Sequence, residues 1–142
     1  MIQRIQSIYL AVATIILSLA AFLPVPFAYS GTNPLFYNIS FDATNTSALV
    51  LGGLTILAAI VALANIFLFR NRKLQLKICT LTSLLLLLMI VAGAYFLLSD
   101  THTPDQPWAG TAFPLLGYIS NWLARRNINA DQKLVESADR LR

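Results

Sequence analysis

The sequence predicts an all-α integral membrane protein: an antiparallel bundle of four transmembrane helices, a short C-terminal amphipathic helix and a small β-hairpin in the first outer loop. Three observations predict it. Of 142 residues, 57% are apolar and 11% charged, which leaves a soluble domain of this size too little polar surface to cover itself. The apolar residues fall into runs close to the roughly 20 residues needed to cross a hydrocarbon core. Finally, all ten Lys and Arg residues fall on one side once four crossings are drawn.

The first run, 5–23, stops at Pro24-Val25-Pro26, where missing amide donors and fixed φ angles end a helix. The alternative is a secretory signal peptide, with Ala28 and Ser30 as small residues at the cleavage positions. The run exceeds a signal peptide's apolar region of about 7–15 residues, and only Arg4 precedes it, so the segment is read as retained. The second and third runs, 48–69 and 78–98, are each long enough to span. Between them Arg70, Arg72, Lys73 and Lys77 make a short basic stretch, read as a cytoplasmic loop joining antiparallel helices. The fourth run, 109–124, lies near the lower limit of about 17 residues and contains Pro114, Ser120 and Asn121. Trp108 and Trp122 bracket it as interface anchors, and Pro114 falls in its first turns, where a lost backbone bond costs least.

Charge placement then orients the bundle. Arg4 precedes the first run, the four basic loop residues follow the second, and Arg125, Arg126, Lys133, Arg140 and Arg142 follow the fourth. The stretches 24–47 and 99–108 contain no Lys or Arg. The positive-inside rule therefore puts both termini in the cytoplasm. On this reading residues 1–127 form the membrane domain and 128–142 a cytoplasmic tail. In the tail Asn129 can cap a helix, Gln132 holds the capping-box position, and Leu134, Ala138 and Leu141 form an apolar stripe. In the first outer loop, aromatic and β-branched residues flank the turn cluster Ser30-Gly31-Thr32-Asn33-Pro34 and suggest the hairpin.

Chemistry-bearing residues are scarce. His102, the single histidine, stands among Asp100 and Asp105 but lacks the further ligands that specific metal sites collect, and it is read as an ordinary loop residue. The one cysteine, Cys79, has no disulfide partner in the chain and is read as a small buried hydrophobe. No metal, cofactor or catalytic residue is expected, because nothing supplies the nucleophile, base and oxyanion donors of an active site. The basic residues flank apolar spans rather than forming an aromatic-interleaved stripe, so nucleic acid is not an expected partner. The spans contain no Asp, Glu, Lys, Arg or His, and among their neutral polar residues Asn65 and Asn121 stand out. These two asparagines are candidate helix–helix or ligand contacts, with helix–helix bonding favoured. Gly52-Gly53, Ala58 with Ala62, Gly93, and Gly117 with Asn121 offer close backbone approach.

The opening Met1-Ile2-Gln3-Arg4-Ile5-Gln6, running directly into an apolar span, and the closing stretch from Asp131-Gln132-Lys133-Leu134 to Arg140-Leu141-Arg142 resemble a family of small four-span bacterial membrane proteins known only as a domain of unknown function. The resemblance covers the whole chain and implies an inner-membrane address and four helices. It supplies no reaction, ligand or catalytic residue. Two functions are therefore carried forward. The first is a non-enzymatic accessory or scaffold subunit, with the lipid bilayer and another inner-membrane protein or a second copy as partners. The second is a small-molecule or lipid-binding component of a transporter, suggested by Asn65, Asn121 and the Pro114 interruption.

Overall fold

Helix starts and stops in this chain follow from local chemistry. Proline punctuation stops the first helix at Phe22, with the Leu23 amide still donating to the Leu19 carbonyl at 2.9 Å. Asn71 caps the third: its Oδ1 accepts from the Leu74 amide at 3.2 Å, satisfying one of the unpaired donors of a first turn. The computed structural model describes residues 2–23, 26–30, 33–37, 46–68, 71–99, 106–107 and 109–140. It contains four long helices, α1 (Ile2–Phe22), α2 (Thr46–Phe67), α3 (Arg72–Ser99) and α4 (Ala109–Arg140). Segments Leu49–Phe67 and Arg72–Leu98 are long and apolar enough to cross a membrane, and Ser7–Phe22 is a shorter apolar helix.

Each helix turns an inward seam at alternating steps of three and four residues. On α2 the seam is Leu51, Thr55, Ala58, Ala62, Asn65; on α3 it is Gln75, Cys79, Thr82, Leu86, Met89, Gly93. On α4 it is Gly110, Pro114, Gly117, Asn121, Ala124, Ile128, Asp131. Such spacing is the signature of four-helix bundles packed side chain into gap. Packing joins α1 to α2, α2 to α3, α3 to α4 and α4 back to α1, closing a ring. Three layers fix the directions. Leu10, Cys79, Ala124 and Ile128 share one layer, Leu17, Ala58, Ala62 and Leu86 the next, and Leu51 with Met89 the third. Residue numbers rise through the layers on α1 and α3 and fall on α2 and α4, so successive helices are antiparallel.

The side chains in these seams are mostly small or polar, whereas many of the large aliphatics lie outside. Ile15, Leu19, Ile60, Leu84, Leu88, Val91, Leu116 and Ile119 are all exposed. Only 33% of the Leu49–Phe67 segment and 22% of Arg72–Leu98 is buried inside the molecule.

At the end opposite Asn71, β1 (Pro26–Ser30) and β2 (Asn33–Tyr37) form the expected antiparallel hairpin, with an irregular register around Ala28. A third short strand, β3 (Gln106–Pro107), pairs with β1 through Ala28 opposite Pro107 and Tyr29 opposite Gln106. The sheet order is β2-β1-β3. Two loops far apart in sequence are thus stitched together, with β1 against α4 and β2 against α2.

Two expectations need correction. The basic stretch is not a loop as far as Lys77: α3 begins at Arg72, and Lys73 and Lys77 are helical. The short amphipathic tail is not separate either. α4 runs unbroken for 32 residues, through the expected boundary at residue 127, and Asn129 lies mid-helix rather than at a cap. The physical reason is the seam, which continues in step through Ile128 (0% exposed) and Asp131 (8%), so packing carries the helix onward. Leu134, meanwhile, is 55% exposed.

Candidate functional site

The layer nearest Asn71 gathers the buried polar side chains of three helices around one residue of α3. Cys79 is fully buried. From α2, the Asn65 Nδ2 donates to Cys79 Sγ at 3.1 Å. From α4, the Asn121 Nδ2 donates twice, to the Cys79 carbonyl oxygen at 2.7 Å and to Ser83 Oγ at 2.8 Å. The two asparagines singled out by sequence therefore converge on the same turn of α3 from opposite sides. Gln75 Nε2 reaches the Asn65 carbonyl at 3.5 Å, linking the first turn of α3 to the last of α2.

Hydroxyls along the seams are satisfied within their own helices. Thr14 donates to the Leu10 carbonyl at 2.8 Å, Thr55 to Leu51 at 2.7 Å and Thr82 to Ile78 at 3.0 Å. Such back-bonding hides a polar group without a partner helix. Thr55 Oγ1 also stands 3.5 Å from Met89 Sδ on α3, and the amides of Asn65 and Asn121 make the shorter bonds between helices. Within this cluster, Asn65 Oδ1 is a buried acceptor with no hydrogen-bond partner among the described residues.

Just beyond this cluster Arg72 Nη2 meets Asp131 Oδ2 at 3.0 Å, with the two side chains 24% and 12% exposed. This ion pair ties the start of α3 to the stretch of α4 that the sequence reading assigns to an amphipathic cytoplasmic tail.

The basic and aromatic anchors sort onto two surfaces. Lys73 and Lys77 are exposed on α3, while Arg72 is turned toward α4. On α4, Trp122 and Arg126 are exposed and Arg125 is half-buried. The Arg126 guanidinium lies 5.9 Å from the centre of a Trp122 ring, within range of a cation–π contact. These residues, with Asn129, Ala130 and Lys133, line an open groove of about 480 Å³. Arg4 is helical, while Arg70, Trp108 and His102 lie outside the described residues. Among the described residues no three His, Cys, Asp or Glu side chains are grouped as a metal site would require.

A second groove of about 410 Å³ opens sideways between α1 and α2, lined by Ser18, Ala21, Phe22, Ile56, Ala59, Ile60 and Leu63. Sequence reading missed it, along with Gln75 and Asp131 as bonding residues. The signal that would have found the polar members is the spacing Gln75-Cys79-Thr82-Leu86 and Asn121-Ala124-Ile128-Asp131, which runs in step across the boundary between apolar and charged sequence.

A family model described as a domain of unknown function (DUF4293) matches residues 2–141. No curated protein and no solved structure matches the chain.

Proposed function

The chain belongs to the DUF4293 family, a domain of unknown function, and from that premise we propose that it is a four-pass inner-membrane protein acting without catalysis, as an accessory or scaffold subunit. One observation carries the reading: apart from Leu10, Leu17, Leu51, Leu86, Met89 and Ile128, the buried side chains are small or polar, while most of the large aliphatics lie outside. Lipid tails are as apolar as leucine, so helices in a bilayer gain little by burying leucine against one another and associate through close packing and hydrogen bonds. The seams are built for that. Gly110, Gly117, Ala58 and Ala62 bring backbones together, and Asn121 bonds across to α3.

The same observation supports four crossings. The outward faces of α1 and of α4 as far as Trp122 are as aliphatic as those of α2 and α3, with Ile8, Ile15, Leu115 and Ile119 all more than half exposed or close to it. With four passes every Lys and Arg faces the cytoplasm. A reporter active only in the cytoplasm should work when inserted after Asn71 or fused after Arg142, and fail near Thr32 or His102. Activity at His102 with silence at Arg142 would invert the orientation.

The scaffold role rests on how the interior polar groups are used. Both Asn121 amide hydrogens are spent on α3, which leaves that side chain a structural link rather than a donor to a substrate. Crosslinking in native membranes followed by purification in mild detergent should recover a reproducible membrane partner or a second copy. Recovery of the monomer alone would sink the role. The lateral groove between α1 and α2 favours a second reading, a lipid-binding component. Its lining is almost wholly apolar, which suits an acyl chain.

A further inference from the structure

Along α4, the residues that face outward also follow alternating steps of four and three: Leu115, Ile119, Trp122, Arg126, Asn129, Lys133. The chemistry along this stripe changes once. Leu115, Ile119 and Trp122 are about half exposed and apolar; Arg126 and Lys133 are exposed cations with Asn129 between them. The indole of Trp122 stands at the change, with Arg126 stacked beside it. Arg125 borders the same groove. Among the described side chains the one ion pair is Arg72 with Asp131, and the next acid along α4, Glu136, stands one step beyond Lys133. Asp131, the acid closest in sequence, is turned inward to α3.

We propose that this stripe is a binding site for an anionic phospholipid, whose phosphate headgroup lies in the groove of Arg125, Arg126, Asn129 and Lys133 while its chains lie along Leu115 and Ile119. The inference rests on the membrane reading above. Charge complementarity chooses an anion, and the continuous apolar ridge directly above chooses an amphiphile over a free phosphate. Guanidinium groups suit phosphate because their planar donor fork matches its oxygens. An indole at the junction fits the interfacial level at which tryptophan settles. Helix continuity matters as well. Because α4 does not break after residue 124, the cations are held in register with the apolar ridge instead of swinging on a loose tail.

The test uses the full chain purified in detergent, with bound lipid counted by native mass spectrometry after addition of phosphatidylglycerol or phosphatidylcholine. The wild-type chain should retain phosphatidylglycerol preferentially, and excess inorganic phosphate should not displace it. Each cation near a membrane surface contributes about five-fold in binding, so a combined Arg125→Gln, Arg126→Gln, Lys133→Gln variant should lose the preference. Lys73→Gln with Lys77→Gln removes two exposed cations from α3 and should leave it unchanged. Equal retention of both lipids by the wild-type chain would overturn the proposal and point to an acidic protein segment as the occupant. Equal loss in the α3 variant would also overturn it, by reducing the effect to general surface charge, and displacement by phosphate would reassign the groove to a free anion. A carbonate wash of cell membranes separates the two levels of the argument. Release of the chain removes the membrane reading itself, whereas an integral chain without lipid preference removes only this site.

Discussion

The two halves of the bundle interior are held together by different means. Toward Asn71, the helices are linked by directional bonds: Asn65 and Asn121 to Cys79, Asn121 to Ser83, and Arg72 to Asp131. Toward the sheet, contact is mainly by shape, with one weak bond from Thr55 Oγ1 to Met89 Sδ at 3.5 Å. Gly117 lies so close to α1 that a Cβ there would stand 3.1 Å from Leu17 Cδ2 and 3.7 Å from Leu86 Cδ1. The difference teaches that a helix pair can be specified either by a bond that only one register satisfies or by a gap that only one residue fits. A bond tolerates change of volume but not of polarity, and a gap tolerates the reverse.

The largest effect should come from attacking polarity in the bonded half. Asn121→Asp replaces a double donor by an acceptor facing the Cys79 carbonyl and adds a charge within a helix, which costs about 2.5–3.5 kcal/mol on insertion scales. Denaturation in mixed micelles should show a collapse of stability, while Asn121→Leu, which keeps volume and loses only the bonds, should cost about 1–2 kcal/mol. Equal effects from the two variants would break the comparison.

Next comes volume in the packed half. Gly117→Val forces Leu17 and Leu86 aside and should cost about 1–3 kcal/mol, as overpacking does. Combining it with Leu17→Ala should recover part of that loss, because the two positions touch and their effects do not add. Simple additivity in the double-mutant cycle would mean that the close approach at Gly117 is not what limits the packing.

The smallest effect sharpens the contrast with a glycine that has no such duty. A Cβ on Gly53 would meet nothing within 4 Å. Gly53→Ala should therefore be neutral or stabilising by about 0.5–1 kcal/mol, the helix-propensity difference alone. A loss of stability comparable with that of Gly117→Val would show that a partner covers this face.

The sequence told the positions of the helices better than their ends. Apolar runs marked 5–23, 48–69 and 78–98, against helices at Ile2–Phe22, Thr46–Phe67 and Arg72–Ser99. Hydropathy reports where a segment is greasy, while a helix continues wherever its seam still finds neighbours. That is why Gln75 at one end and Ile128 with Asp131 at another were helical and buried beyond the runs. The hairpin was legible because turn residues and aromatic strands are local signals. Its third strand was not: β3 is two residues long, and its pairing with β1 is fixed by where the bundle brings the two loops together. Asn65 and Asn121 stood out as rare amides in apolar sequence, but their shared target at Cys79 depends on three helices at once.

The ring of neighbours has a consequence for synthesis. α1 packs against α2 on one side and α4 on the other, so α1 meets its second partner only after α2 and α3 have been made. Until residues 110–131 emerge, the amide of Asn65 and the backbone carbonyl of Cys79 border an open flank, and no packing wall covers Leu10 and Leu17. On the membrane reading proposed above, a nascent chain stalled before α4 is a three-helix fragment with its hydrogen-bonding interior open to lipid, where unmet polar groups are costly. Emergence of α4 and closure of the ring become the same event. The ring thus makes α4 the closing element, since it alone brings Asn121 to the Cys79 carbonyl and Gly117 to Leu17.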